Sequence, residues 1–76
     1  MTVATITPDQ LAEALSMTLR ELCLFLAAQT AKEYRGAADA IDRGAGADVD
    51  RHLDRAEAMR AAFLTSEALW DERNPV

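Results

Sequence analysis

Apolar side chains recur at helical spacing along almost the whole chain. Leu11, Leu15, Leu19, Leu22 and Leu26 step by four, four, three and four residues, which sets them on one stripe of a helix. Ala14 and Phe25 flank that stripe, while Met17, Leu24, Ala28 and Ala31 fall nearly opposite it. The segment Leu22-Cys23-Leu24-Phe25-Leu26-Ala27-Ala28 is therefore apolar on every side, as in a helix buried all round. Further along, Val49, Ala56, Phe63 and Trp70 repeat every seven residues, with His52, Leu53 and Met59 on the same side. This second stripe has the spacing of a coiled-coil seam, interrupted where Arg60 and Glu67 follow Leu53 at seven-residue steps.

Punctuation fixes the ends of these patterns. Residues 1–6 read as an extended lead-in. Thr7-Pro8-Asp9-Gln10 is a helix start: a threonine cap, a proline where the missing N–H costs nothing, an acid at the positive end of the dipole, and a glutamine that completes a capping box. The first helix is expected over 8–42, with Gly36 as its one weak point, where a break would divide it. Arg43-Gly44-Ala45-Gly46-Ala47 supplies the turn, Gly44 being suited to the left-handed position that ends a helix. Asp48 or Asp50 is expected to cap a second helix over 49–72, which Asn74-Pro75 terminates. The fold class that follows is all-α: an antiparallel hairpin of two long helices forming a single domain.

The lengths of the two helices do not match. Across a short loop, Phe63 comes to lie near Ala28, and Trp70 near Glu21 and Leu22. A continuous first helix would then project Leu11, Leu15 and Leu19 some fourteen residues, or ~21 Å, beyond its partner. Burial of three leucines is worth roughly 5–9 kcal/mol, comparable to the whole stability of a small domain. The expectation is therefore a homodimer, two hairpins forming a four-helix bundle. Its interface would take in Leu11, Leu15, Leu19, Leu22, Leu24, Phe25, Leu26, Phe63 and Trp70.

Composition supports helices and narrows the function classes. At 76 residues the chain is one domain with little core of its own. Sixteen alanines and only four aromatic residues favour long helices in close contact. Cys23 is the only cysteine, so no disulfide closes within the chain, and His52 is the only histidine, so a Cys/His zinc site is not expected. A net charge of −5 disfavours nucleic acid and anionic membranes as partners. The longest apolar run, seven residues, falls far short of the ~20 that span a membrane, and Met1–Ile6 carries no basic residue of a signal peptide. The expected setting is the cytoplasm. Seven arginines against one lysine, with abundant alanine, point to a GC-rich bacterial or phage genome.

Candidate chemistry is sparse. Asp48, Asp50, His52 and Asp54 invite a metal site, but they lack the glycine and distal glutamate of a calcium loop and the Glu-x-x-His pairs of di-iron bundles. Gly44-Ala45-Gly46 lacks the spacing of a phosphate loop and has no preceding strand. Cys23 sits in the most apolar segment, as a packed thiol rather than a nucleophile. Arg60 and Glu67 read as a seam pair that sets register. Trp70 is an anchor, either for the hairpin core or for a partner pocket. No catalytic residue, cofactor or metal is expected. The functional expectation is a small non-enzymatic adaptor that self-associates. The alternatives are an acidic antagonist, such as an antitoxin or phage-encoded inhibitor, that binds another protein through its apolar face, and a helical-bundle metal or ligand carrier.

Overall fold

The computed structural model describes residues 6–75, which form three helices and no strand: α1 (Pro8–Ala14), α2 (Leu19–Asp42) and α3 (Gly46–Arg73). The two long helices pack antiparallel, as expected, and 84% of the described residues are helical. The expected single helix over 8–42 is two helices, divided at Leu15–Thr18 and not at Gly36.

That division is built from paired end signals. After α1, Ser16 adopts the left-handed conformation at φ 55°. The Met17 N–H then donates to the Ala12 carbonyl at 2.8 Å and the Ser16 N–H to that of Glu13 at 3.0 Å. These are the two hydrogen bonds of a Schellman motif, and they satisfy carbonyls that the helix end leaves free. Two residues later the chain restarts. The Thr18 hydroxyl accepts from the Glu21 N–H at 3.1 Å, and Glu21 Oε1 accepts from the Thr18 N–H at 3.0 Å. The same reciprocal box, Thr7 with Gln10, opens α1 as expected.

The hairpin loop repeats the first device. Gly44 takes φ 71°, its N–H donating to Ile41, and the Ala45 N–H donates to Ala40. Helix α3 therefore begins at Gly46, earlier than the expected residue 49, and no side chain caps it. Asp48 and Asp50 are not caps. Asp48 lies in the first turn of α3, 3.4 Å from Arg51 and 4.0 Å from Arg43.

The core changes character along the hairpin. Next to the loop it is made of small residues, Ala37, Ala40 and Ala56, all buried. At the open end it is built from Leu22 and Leu26, and α1 closes it by inserting Ala12, with Leu11, Leu19, Met59, Ala62 and Phe63 packed around. Helix α1 is held on the far side by Asp9, whose carboxylate accepts both terminal nitrogens of Arg73 at 2.9 and 2.7 Å. The overhang expected of a continuous helix is thus folded back. Leu11 and Leu19 pack against the core of their own chain, and Leu15, at the end of α1, stays 43% exposed.

Ser16 offers a test with opposite signs for the two geometries. A left-handed L-residue costs about 1–2 kcal/mol, and part of that gain on replacement is offset by the freer unfolded chain of a glycine, about 0.4–1 kcal/mol. Ser16→Gly is expected to stabilise the protein by up to about 1 kcal/mol in urea denaturation. Within a continuous helix the same change would destabilise by about 0.5 kcal/mol.

Candidate interaction face

The surface of α2 turned away from the core carries a second stripe. Leu24, Ala27, Ala31, Tyr34, Ala38 and Ile41 follow one another at spacings of three, four, three, four and three. That is the period of a coiled-coil seam, with Leu24, Ala31 and Ala38 at one position and Ala27, Tyr34 and Ile41 at the other. Among the described residues it is largely uncovered, with Ala27 half-buried beside Phe63: Leu24 is 62% exposed, Tyr34 43% and Ile41 64%. The stripe runs about 26 Å at 1.5 Å per residue. This exposed apolar run, bordered by Arg20, Arg35 and Asp42, is the candidate contact surface of the molecule.

Helix α3 supplies the border. Two shallow concavities of about 330 and 350 Å³ lie along the groove between α2 and α3 and share Ala27 and Phe63. One is bounded by Tyr34, Arg60 and Leu64, the other by Arg20, Leu24, Glu67, Trp70 and Asp71. Leu53 and Leu64 are also exposed on α3. Cys23 sits half-buried at the second concavity, where burial pushes its thiol pKa up and Glu67 and Asp71 push in the same direction. A thiol held protonated in acidic surroundings is a poor nucleophile.

A polar latch fixes how α3 sits on α2. His52 Nδ1 lies 2.7 Å from Glu33 Oε2, and since an ionised carboxylate only accepts, the ring nitrogen donates. Both side chains are partly buried. The ring lies flat over Gly36, where an added Cβ would come within 2.7 Å of it. Gly36 is therefore a notch for His52 within an unbroken helix. Accepting this bond holds the Glu33 carboxyl below its ordinary pKa.

The nine residues expected at an interface occupy three kinds of place. Leu22 and Leu26 are buried in the chain's own core, with Leu11, Leu19 and Phe63 packed beside them. Trp70 and Leu24 border the α2–α3 groove. Leu15 and Phe25 are exposed away from it. Asp48, Asp50, His52 and Asp54 do not converge: His52 turns to Glu33, and no group of three or more His, Cys, Asp or Glu side chains gathers among the described residues. Arg60 and Glu67 stand on the groove wall, one in each concavity. The members of the outer stripe absent from the sequence expectation are Tyr34, Ala38 and Ile41. Their spacing was readable, but alanine fits a core and a surface equally well.

Gly36→Ala should destabilise the protein although alanine is the better helix former by about 1 kcal/mol, because overpacking against the His52 ring costs typically 1–3 kcal/mol. In a His52→Ala background the same change should become stabilising by about 1 kcal/mol, which a double-mutant cycle on denaturation midpoints will show. A wild-type background in which Gly36→Ala raises the midpoint would contradict the notch.

The pH dependence follows from Glu33, Asp9 and Glu21, all held below their ordinary pKa values, by His52, Arg73 and the Thr18 cap respectively. A carboxylate with a depressed folded-state pKa contributes stability above its unfolded value, roughly pH 4–4.5, and loses it as pH falls through the folded value. Thermal midpoints should therefore drop on acidification below about pH 4.5, with a shallower drop in Glu33→Gln. An unchanged slope in that variant would remove Glu33 from the set.

No family model, curated protein or solved structure matches this chain.

Proposed function

We propose that the protein is a non-enzymatic helical interaction subunit that self-associates, its working surface being the outer stripe of α2 with the adjoining edge of α3. The observation that carries this reading is the heptad-spaced apolar run from Leu24 to Ile41, exposed on a helix whose opposite face is already committed to the core. Two hairpins joined through such stripes make a four-helix bundle, with each α1 on the outside. The cytoplasm is the proposed setting.

The chemistry on the surface supports a binding role over catalysis. The only thiol is held protonated, the only histidine is engaged by Glu33, and Ser66, buried on α3, bonds back to the Ala62 carbonyl. Among the described residues no nucleophile, base and orienting group come together. A second reading, an acidic antagonist of a basic protein, draws on the net charge of −5 and on Glu67 and Asp71 along the groove. It uses the same face.

Replacing Leu24 and Ile41 together with glutamate tests this reading. Both side chains are exposed, so the helical circular dichroism and thermal midpoint should stay near wild type. Association measured by sedimentation equilibrium should weaken by tenfold or more, about 1.4 kcal/mol. The matched surface control, Arg55→Gln with Glu72→Gln, should leave association unchanged. A wild type that stays monomeric at every accessible concentration would refute self-association.

A further inference from the structure

The size pattern of the outer stripe says how a second copy would sit on it. Read from Leu24 to Ile41 the side chains run large, small, small, large, small, large. In a parallel pair each residue meets itself, so Tyr34 faces Tyr34 while Ala27, Ala31 and Ala38 face alanines, leaving one overfilled layer among three thin ones. An antiparallel pair with a two-fold axis between Lys32 and Glu33 behaves differently. Leu24 then meets Ile41 of the second copy, Ala27 meets Ala38, and Tyr34 meets Ala31. Each aromatic ring finds a small residue opposite it, and the long aliphatic residues close the two ends. The alanine pairs let the helix axes approach to about 8 Å, the short end of the usual range.

We infer that the occupant of the stripe is a second copy of this chain, packed antiparallel along α2 in that register. The inference rests on the self-association proposed above and adds its geometry. Area supports a second copy. The exposed parts of Leu24, Tyr34 and Ile41, with Leu64 across the groove and the alanines between them, make an apolar patch on the order of several hundred Å², the size at which a monomer's largest patch is often functional. Together with polar flanks it approaches the ~800 Å² per partner of a standard interface. A two-fold arrangement uses one patch twice, as isologous dimers do.

Each end of the register gathers charges of both signs, Arg20 and Glu21 of one copy lying near Asp42 and Arg43 of the other, so the long-range repulsion between the chains comes from their net charge. With a net charge of −5 on each chain, added salt should tighten this pairing by screening repulsion. Docking of a basic partner would weaken with salt instead.

Cysteine cross-linking reads the register directly. In a Cys23→Ser background, Ala27→Cys and Ala38→Cys are made as separate full-length proteins, both conservative in size. Each is treated with a short bismaleimide whose reach matches the ~8 Å separation of close-packed helices, alone and as an equimolar mixture. In the antiparallel register Ala27 lies about 16 Å along the axis from Ala27 of the second copy, so neither protein alone should cross-link, and the mixture should. Sedimentation of both proteins at low and high salt should show association strengthened by salt. Cross-linking of each protein alone would show a parallel pair and overturn the register while leaving self-association standing. Association without cross-linking in any of the three samples would move the contact off α2 and overturn the inference. A monomer throughout would overturn the inference and the self-association beneath it together.

Discussion

Burial of Ala12 against Leu22 and Leu26 is the contact on which the rest of the molecule depends. An alanine is small enough for α1 to lie close across the open end of the hairpin, and the turn at Ser16 is what brings it there. Left-handed backbone at one serine and two hydrogen bonds reverse the chain within four residues, Leu15 to Thr18. The cap at Thr18 then restarts the helix, so the reversal pairs the Ala12 and Glu13 carbonyls on one side and the Thr18 and Glu21 N–H groups on the other. The Asp9–Arg73 pair holds the returned helix but is exposed on both sides, and exposed pairs of this kind are screened by salt. The apolar contact, not the ion pair, sets where α1 lies.

That return divides the labour of α2 between its faces. The inner face holds leucine at the open end and alanine near the loop, and His52 fits over the notch at Gly36 with Glu33 as its partner. A single polar latch in a small-residue interface fixes register where apolar packing alone permits sliding. The outer face is left with an apolar seam that no other helix among the described residues meets. Among the described residues the hairpin and one short helix make the core, and this uncovered face is what the proposed self-association would use.

The helical class, the loop and the facing of the two long helices were legible in the sequence, and the break before α2 was not. The reason lies in the phase of the leucines. Leu11 and Leu15 on one side of the turn and Leu19, Leu22 and Leu26 on the other keep helical spacing throughout, so periodicity passes through the break unaltered. No glycine or proline marks it. The signal that did exist was Thr18-x-x-Glu21, with the same grammar as Thr7-x-x-Gln10, set inside an apolar run where end signals are easily passed over. Gly36 failed in the opposite sense. Its propensity reads as a weak point, and only the ring of His52, sixteen residues further on, accounts for it. The expected caps at Asp48 and Asp50 were displaced because the Gly44 turn lets α3 start directly at Gly46. Part of the outer stripe lay hidden for a chemical reason: three of its six members are alanine, which carries no sign of inside or outside.

Backbone ¹³Cα chemical shifts across residues 8–42 test the folded-back chain most directly. Helical shifts over Pro8–Ala14 and Leu19–Asp42, interrupted by an extended Thr18, are expected from the backbone angles at that cap. Uninterrupted helical shifts through Leu15, Ser16, Met17 and Thr18 would contradict it, restore the overhang of Leu11, Leu15 and Leu19, and return those leucines to a surface between chains.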